Sequence, residues 1–79
     1  MDQNIETKAV IETGAIIHEG VKIHAGARVK SGAIINANAE IMSNAIVGIG
    51  ATIGYRSVIE PNVVVRDWAV IDSNTKLEE

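Results

Sequence analysis

Two imidazoles are the only side chains in this 79-residue chain with ordinary acid–base chemistry near neutral pH: His18 and His24. There is no cysteine, so thiolate nucleophiles, thiolate metal sites and disulfides are excluded. Glu6 precedes His24 by the same interval at which Asn36 follows His18. A carboxylate beside an imidazole orients it and raises its basicity, which suits a general base. An amide beside an imidazole could fix its tautomer or bind a substrate. His24 with Glu6 is therefore the first candidate for proton transfer and His18 the second. The plainer alternative is that both histidines are solvent-facing residues without a partner shell.

That interval matters because the whole chain is periodic, and it equals three periods. Every sixth residue from Ile5 is aliphatic: Ile5, Ile11, Ile17, Ile23, Val29, Ile35, Ile41, Val47, Ile53, Ile59, Val65, Ile71 and Leu77. A second column, two residues earlier, runs from Ala9 to Thr75 and is small throughout, with eight alanines in twelve positions. A third, three residues before each aliphatic, holds Gly or Asn at nine of its twelve positions, the exceptions being Lys8, Arg56 and Trp68. Gly and Asn tolerate positive φ. A period of six is neither that of a strand nor that of a helix. It fits a short strand followed by a sharp bend, with the aliphatic inward, the small residue in the corner and Gly or Asn supplying the left-handed backbone. Repetition then gives a solenoid whose parallel strands stack about 4.8 Å apart. Thirteen isoleucines and nine valines against one leucine favour strands over helices. We expect one domain over residues 1–79.

These hexads, such as Ile17-His18-Glu19-Gly20-Val21-Lys22, Val29-Lys30-Ser31-Gly32-Ala33-Ile34 and Val47-Gly48-Ile49-Gly50-Ala51-Thr52, resemble the tandem hexapeptide repeats of left-handed parallel β-helices. The resemblance spans nearly the whole chain. It implies an all-β, single-stranded left-handed parallel β-helix with three hexads per triangular coil. Thirteen hexads make about four coils, roughly 20 Å tall, and no insertion loop breaks them.

With three hexads per coil, outward residues stack in columns. One face carries Lys22, Glu40, His24 and Glu60 and is mostly polar, with Lys22 over Glu40 as an expected rung pair. The second presents Val10, Arg28, Ile46 and Val64, and the third Ile16, Ile34, Thr52 and Val70. Two apolar stripes on neighbouring faces mark an interface, although β propensity alone would also enrich such residues. The family resemblance implies a homotrimer of prisms side by side. Trp68 falls in a bend position that strains a large residue, and we expect its ring to pack on a neighbour.

The stretch from Ala9 to Ile17 and on to Ile41 is similar to the early coils of tetrahydrodipicolinate and sugar N-acetyltransferases. That likeness implies an acyltransferase-type domain moving an acyl group from acyl-CoA to an amine or hydroxyl acceptor. His24 would be the base, with Glu6 orienting it and His18 as second choice. Gly48, Gly50 and Gly54 would leave a flat strip for the pantetheine arm. Arg28 and Lys30, with Lys22, would meet the CoA phosphates. Against this, Gly50 is also a plain bend residue and the cations a solvated face. The chain also departs from the acetyltransferase pattern: it has no substrate loop, and Gly54-Tyr55-Arg56 stands where a Glu-His-Asp triplet is usual. The alternative is therefore a non-catalytic trimeric scaffold or assembly module.

Other functions fit less well. Two histidines one hexad apart sit on different faces, so no metal site is expected. Thr7, Thr13, Thr52 and Thr75 form no column for ice binding. The net charge of −3 disfavours nucleic acid. No apolar run approaches a membrane span and no signal peptide leads the chain, so a soluble cytoplasmic protein is expected.

Overall fold

The computed structural model describes residues 4–6 and 8–78; Thr7 lies outside them. Each aliphatic of the six-residue column ends a two-residue strand, and three parallel sheets result. Face A contains β1 (Asn4–Ile5), β4 (Lys22–Ile23), β7 (Glu40–Ile41), β10 (Val58–Ile59) and β13 (Lys76–Leu77). Face B contains β2 (Val10–Ile11), β5 (Arg28–Val29), β8 (Ile46–Val47) and β11 (Val64–Val65). Face C contains β3 (Ile16–Ile17), β6 (Ile34–Ile35), β9 (Thr52–Ile53) and β12 (Val70–Ile71). Each strand pairs with its counterpart one coil away, Ile23 with Ile41 and Val29 with Val47 for example. The result is an all-β solenoid of about four coils, with no helix among the described residues, the architecture of a left-handed parallel β-helix. Its extents are 24 × 22 × 20 Å.

The core is one column of aliphatics per face plus the small residues of the corners. Ile23, Ile41 and Ile59 of face A are fully buried, as are Val29, Val47, Ile35 and Ile53. Ala27, Ala33, Ala39, Ala45 and Ala51 fill the corners with no exposure, and Val21 and Val63 are buried in the same column. Burial weakens toward the first coil, where Ile5 is 41% exposed.

The corners close with turns in which the small residue's N–H donates to the carbonyl three residues back, as Ala45 to Met42 at 3.2 Å and Ala51 to Gly48 at 3.2 Å. From Gly14 to Asn74 the second central residue of each corner has positive φ: Gly50 at 68°, Asn44 at 64°, Arg56 at 59° and Trp68 at 65° are examples. That is the requirement of a type II turn. Pro61 occupies the first central position, where its fixed φ suits that turn. At the same position of other corners, side-chain oxygens cap the N–H: Glu6 that of Ala25, Glu12 that of Ser31, and Asp67 that of Ile49 at 2.8 Å.

One small-column residue does more than fill space. Ser57 is fully buried, donates its hydroxyl to the Asp72 carbonyl at 2.6 Å and accepts the Thr75 N–H at 3.3 Å. It ties the third coil to the fourth.

Candidate functional site

Strand alternation points Ile23 inward and therefore Lys22 and His24 outward on face A. Glu6 follows Ile5 in the coil below and Glu40 precedes Ile41 in the coil above, so both are outward too. His24 Nδ1 lies 3.2 Å from Glu6 Oε2, and His24 Nε2 lies 2.6 Å from Glu40 Oε2. The other Glu6 oxygen accepts the Ala25 N–H at 3.1 Å. The imidazole thus bridges two carboxylates and links three successive coils. Its side chain is 28% exposed.

Two carboxylates on one ring favour the imidazolium, since only that form donates from both nitrogens. The His24 pKa is raised from its usual 6.5. The hydrogen bond to Glu40 is the largest cause; partial burial opposes it, and the charges of Glu40 and Glu6 and the Glu6 hydrogen bond add to it. Accepting a proton from a substrate requires Nε2 to leave Glu40 first.

The expected rung pair between Lys22 and Glu40 does not form. The two residues are register partners, but the Glu40 carboxylate turns diagonally to His24. The same diagonal, from residue n to residue n+16, joins Glu60 to Lys76 at 3.4 Å. A residue leaving one strand therefore meets the residue entering the strand above, one column over. Reading the sequence by vertical columns paired Glu6 with His24 and missed Glu40; the n+16 offset is the signal that finds it.

The remaining candidates are dispersed. His18 is exposed on face C, and the Asn36 amide above it donates to the Ile53 carbonyl at 3.0 Å. Arg28 is exposed and Lys30 half-buried, both on face B. Gly48 is buried, with the Arg66–Asp67 backbone and the Asp67 carboxylate leaning over it: a Cβ there would lie 2.6 Å from Asp67 N and Oδ1. Gly54 is buried in the same way under Asp72 and Ser73. Gly50 lies under the Trp68 indole. The coil above thus covers all three glycines. Among the described residues, no group of three or more His, Asp or Glu is placed to hold a metal ion, and no helix is long and apolar enough to cross a membrane.

The outward surface of faces B and C is different in kind. Val64 is 63% exposed, Val70 71% and Trp68 73%. Trp68 occupies the corner between those two strands, above Gly50, and Ile49 is exposed at the same corner one coil down. Val10 and Ile16 continue the exposed apolar surface on the first coil. No family model and no curated protein matches the chain.

Proposed function

We propose that the chain is a self-assembling β-helix module whose copies pack side by side through faces B and C. One observation carries this reading: the most exposed large apolar residues of the fourth coil, Val64, Trp68 and Val70, form one patch wrapped around the corner those faces share. Apolar patches of this kind mark association surfaces, and an exposed Trp at the centre is the usual anchor. A repeated contact of face B on one copy with face C of the next is heterologous, and it closes into a ring where the rotation between copies closes. The hexapeptide-repeat resemblance supports three copies. A standard interface removes about 800 Å² per partner, and a ring gives each copy two of them, roughly a third of the 4551 Å² of this chain. Light scattering at tens of micromolar is the test. The expected mass is that of a trimer, reduced to a monomer by Val64→Lys with Val70→Lys while circular dichroism stays unchanged. A monomeric wild-type chain overturns the reading.

A second reading, acyl transfer, is favoured by the Glu6–His24 contact and by the same resemblance. His24 would take the proton of an amine or hydroxyl acceptor as that atom attacks the thioester carbonyl of an acyl-CoA, and the CoA thiolate would leave. Glu6 would orient the ring, His18 would be the alternative base, and Arg28 and Lys30 would meet the CoA phosphates. Thiol release from acetyl-CoA with a panel of amines tests it: the expected rate disappears in His24→Ala. No calorimetric binding of CoA at high concentration leaves the scaffold alone.

A further inference from the structure

Face A has a device that the assembly reading does not use, and its His24–Glu40 contact serves neither reading. The Glu6–His24–Glu40 bridge is the one place among the described residues where a titrating side chain holds three coils at once. We propose that this bridge is a proton-operated clasp, which fastens the first coil to the second and third when His24 is charged and releases the first coil when His24 is neutral.

The geometry dictates which side lets go. A neutral imidazole has one N–H. The contact to Glu40, at 2.6 Å, is shorter than that to Glu6, at 3.2 Å, so the remaining proton stays on Nε2. Nδ1 then turns a lone pair toward the Glu6 carboxylate, and attraction becomes repulsion. Glu6 keeps its bond from the Ala25 N–H and its own backbone bond to the Ile23 carbonyl at 2.8 Å. Both lie at the edge of the first coil, where Ile5 is 41% exposed while Ile23 and Ile41 are fully buried. The elements with least core to hold them are therefore the ones that lose the tie.

The charged groups facing the ring are few. Glu6 approaches from the coil below and Glu40 from the coil above; Lys22 lies on its own strand as the register partner of Glu40. Directly above His24 in its column is Met42, which carries no charge, and the Glu60–Lys76 pair is farther up face A. Nothing else on this face competes for the imidazole proton among the described residues.

The experiment is amide hydrogen exchange by NMR on the full chain between pH 6 and pH 9, corrected for intrinsic rates, with the His24 titration followed in the same samples. The expected result is that protection of the Glu6 and Ala25 amides falls at least threefold as His24 deprotonates, while protection at Gly48 and Gly54 does not change. Glu6→Gln, at an exposed site, should leave the His24 titration visible but remove the pH dependence of those two amides. Glu40→Gln should move the His24 midpoint down. A His24 midpoint at or below 6.5, or first-coil protection that ignores the His24 titration, overturns the clasp. Face A is not part of the proposed assembly surface, so a monomer in light scattering and a failed clasp are separate results.

Discussion

Trp68 lies across Gly50, one coil above it at the corner between faces B and C. Its backbone keeps the positive φ of the bend, 65°, a conformation that costs a bulky residue roughly 1 kcal/mol or more. A residue that strains its own turn and leaves its ring exposed contributes little to folding of the isolated chain. Trp68→Asn should hold stability to urea within about 1 kcal/mol and weaken self-association at least tenfold, as loss of an interface anchor does. Sedimentation and urea titration of the same samples check both halves.

Gly50→Ala should fail in the opposite sense. Its φ is 68° and an added Cβ runs into the indole. We expect a loss of about 1–2 kcal/mol from the backbone term alone. In the double variant with Trp68→Gly the collision is gone, as at Gly32, where the nearest atoms of Gly50 above lie 3.9 Å from the Cβ position, so the two changes should cost less together than their sum. A double-mutant cycle in urea measures that coupling.

Ser57→Ala looks harmless beside a column of eight alanines. The structure says otherwise, because the hydroxyl serves the Asp72 carbonyl and the Thr75 N–H in a buried site. Stranding them should cost about 1–3 kcal/mol, read as a lower urea midpoint at an unchanged slope.

The core gradient predicts a contrast between two isoleucines of one column. Ile41→Ala, fully buried in the middle of face A, should lose about 2–5 kcal/mol. Ile5→Ala, at a position 41% exposed, should lose well under half of that. Equal losses would contradict the packing described.

The raised His24 pKa fixes the sign of a stability change with pH. Charged His24 is favoured in the folded state, so its contribution is present in full below the unfolded value of 6.5 and is lost as pH rises through the higher folded value. The stability difference between the wild type and Glu40→Gln should therefore shrink from pH 6 to alkaline pH. Urea midpoints across that range are the measurement.

Most of the architecture was legible because hexad chemistry is local. The aliphatic column from Ile5 to Leu77 sets the inward face, and Gly or Asn at the bend sets the turn. Even Arg56 and Trp68, which break that column, keep its positive φ, since the ladder on either side over-determines the bend. What the columns hid is lateral. Glu40 reaches His24 across columns rather than along one, and the turns at Asp67 and Ser73 lean over Gly48 and Gly54. Stacking at one-coil intervals gives vertical neighbours only; side-chain reach and the tilt of the corners decide the rest.

The strict three-strand cycle also limits how such a chain can change length. Excising three consecutive hexads would splice a lower layer to a higher one with every downstream residue on its original wall. Excising a single hexad would keep the interior aliphatic and the ladder intact, yet turn the remainder by one wall: Val64 would move to the charged side and Glu60 to the side Trp68 now borders. The interior tolerates either edit, whereas the exterior survives only the whole-layer one.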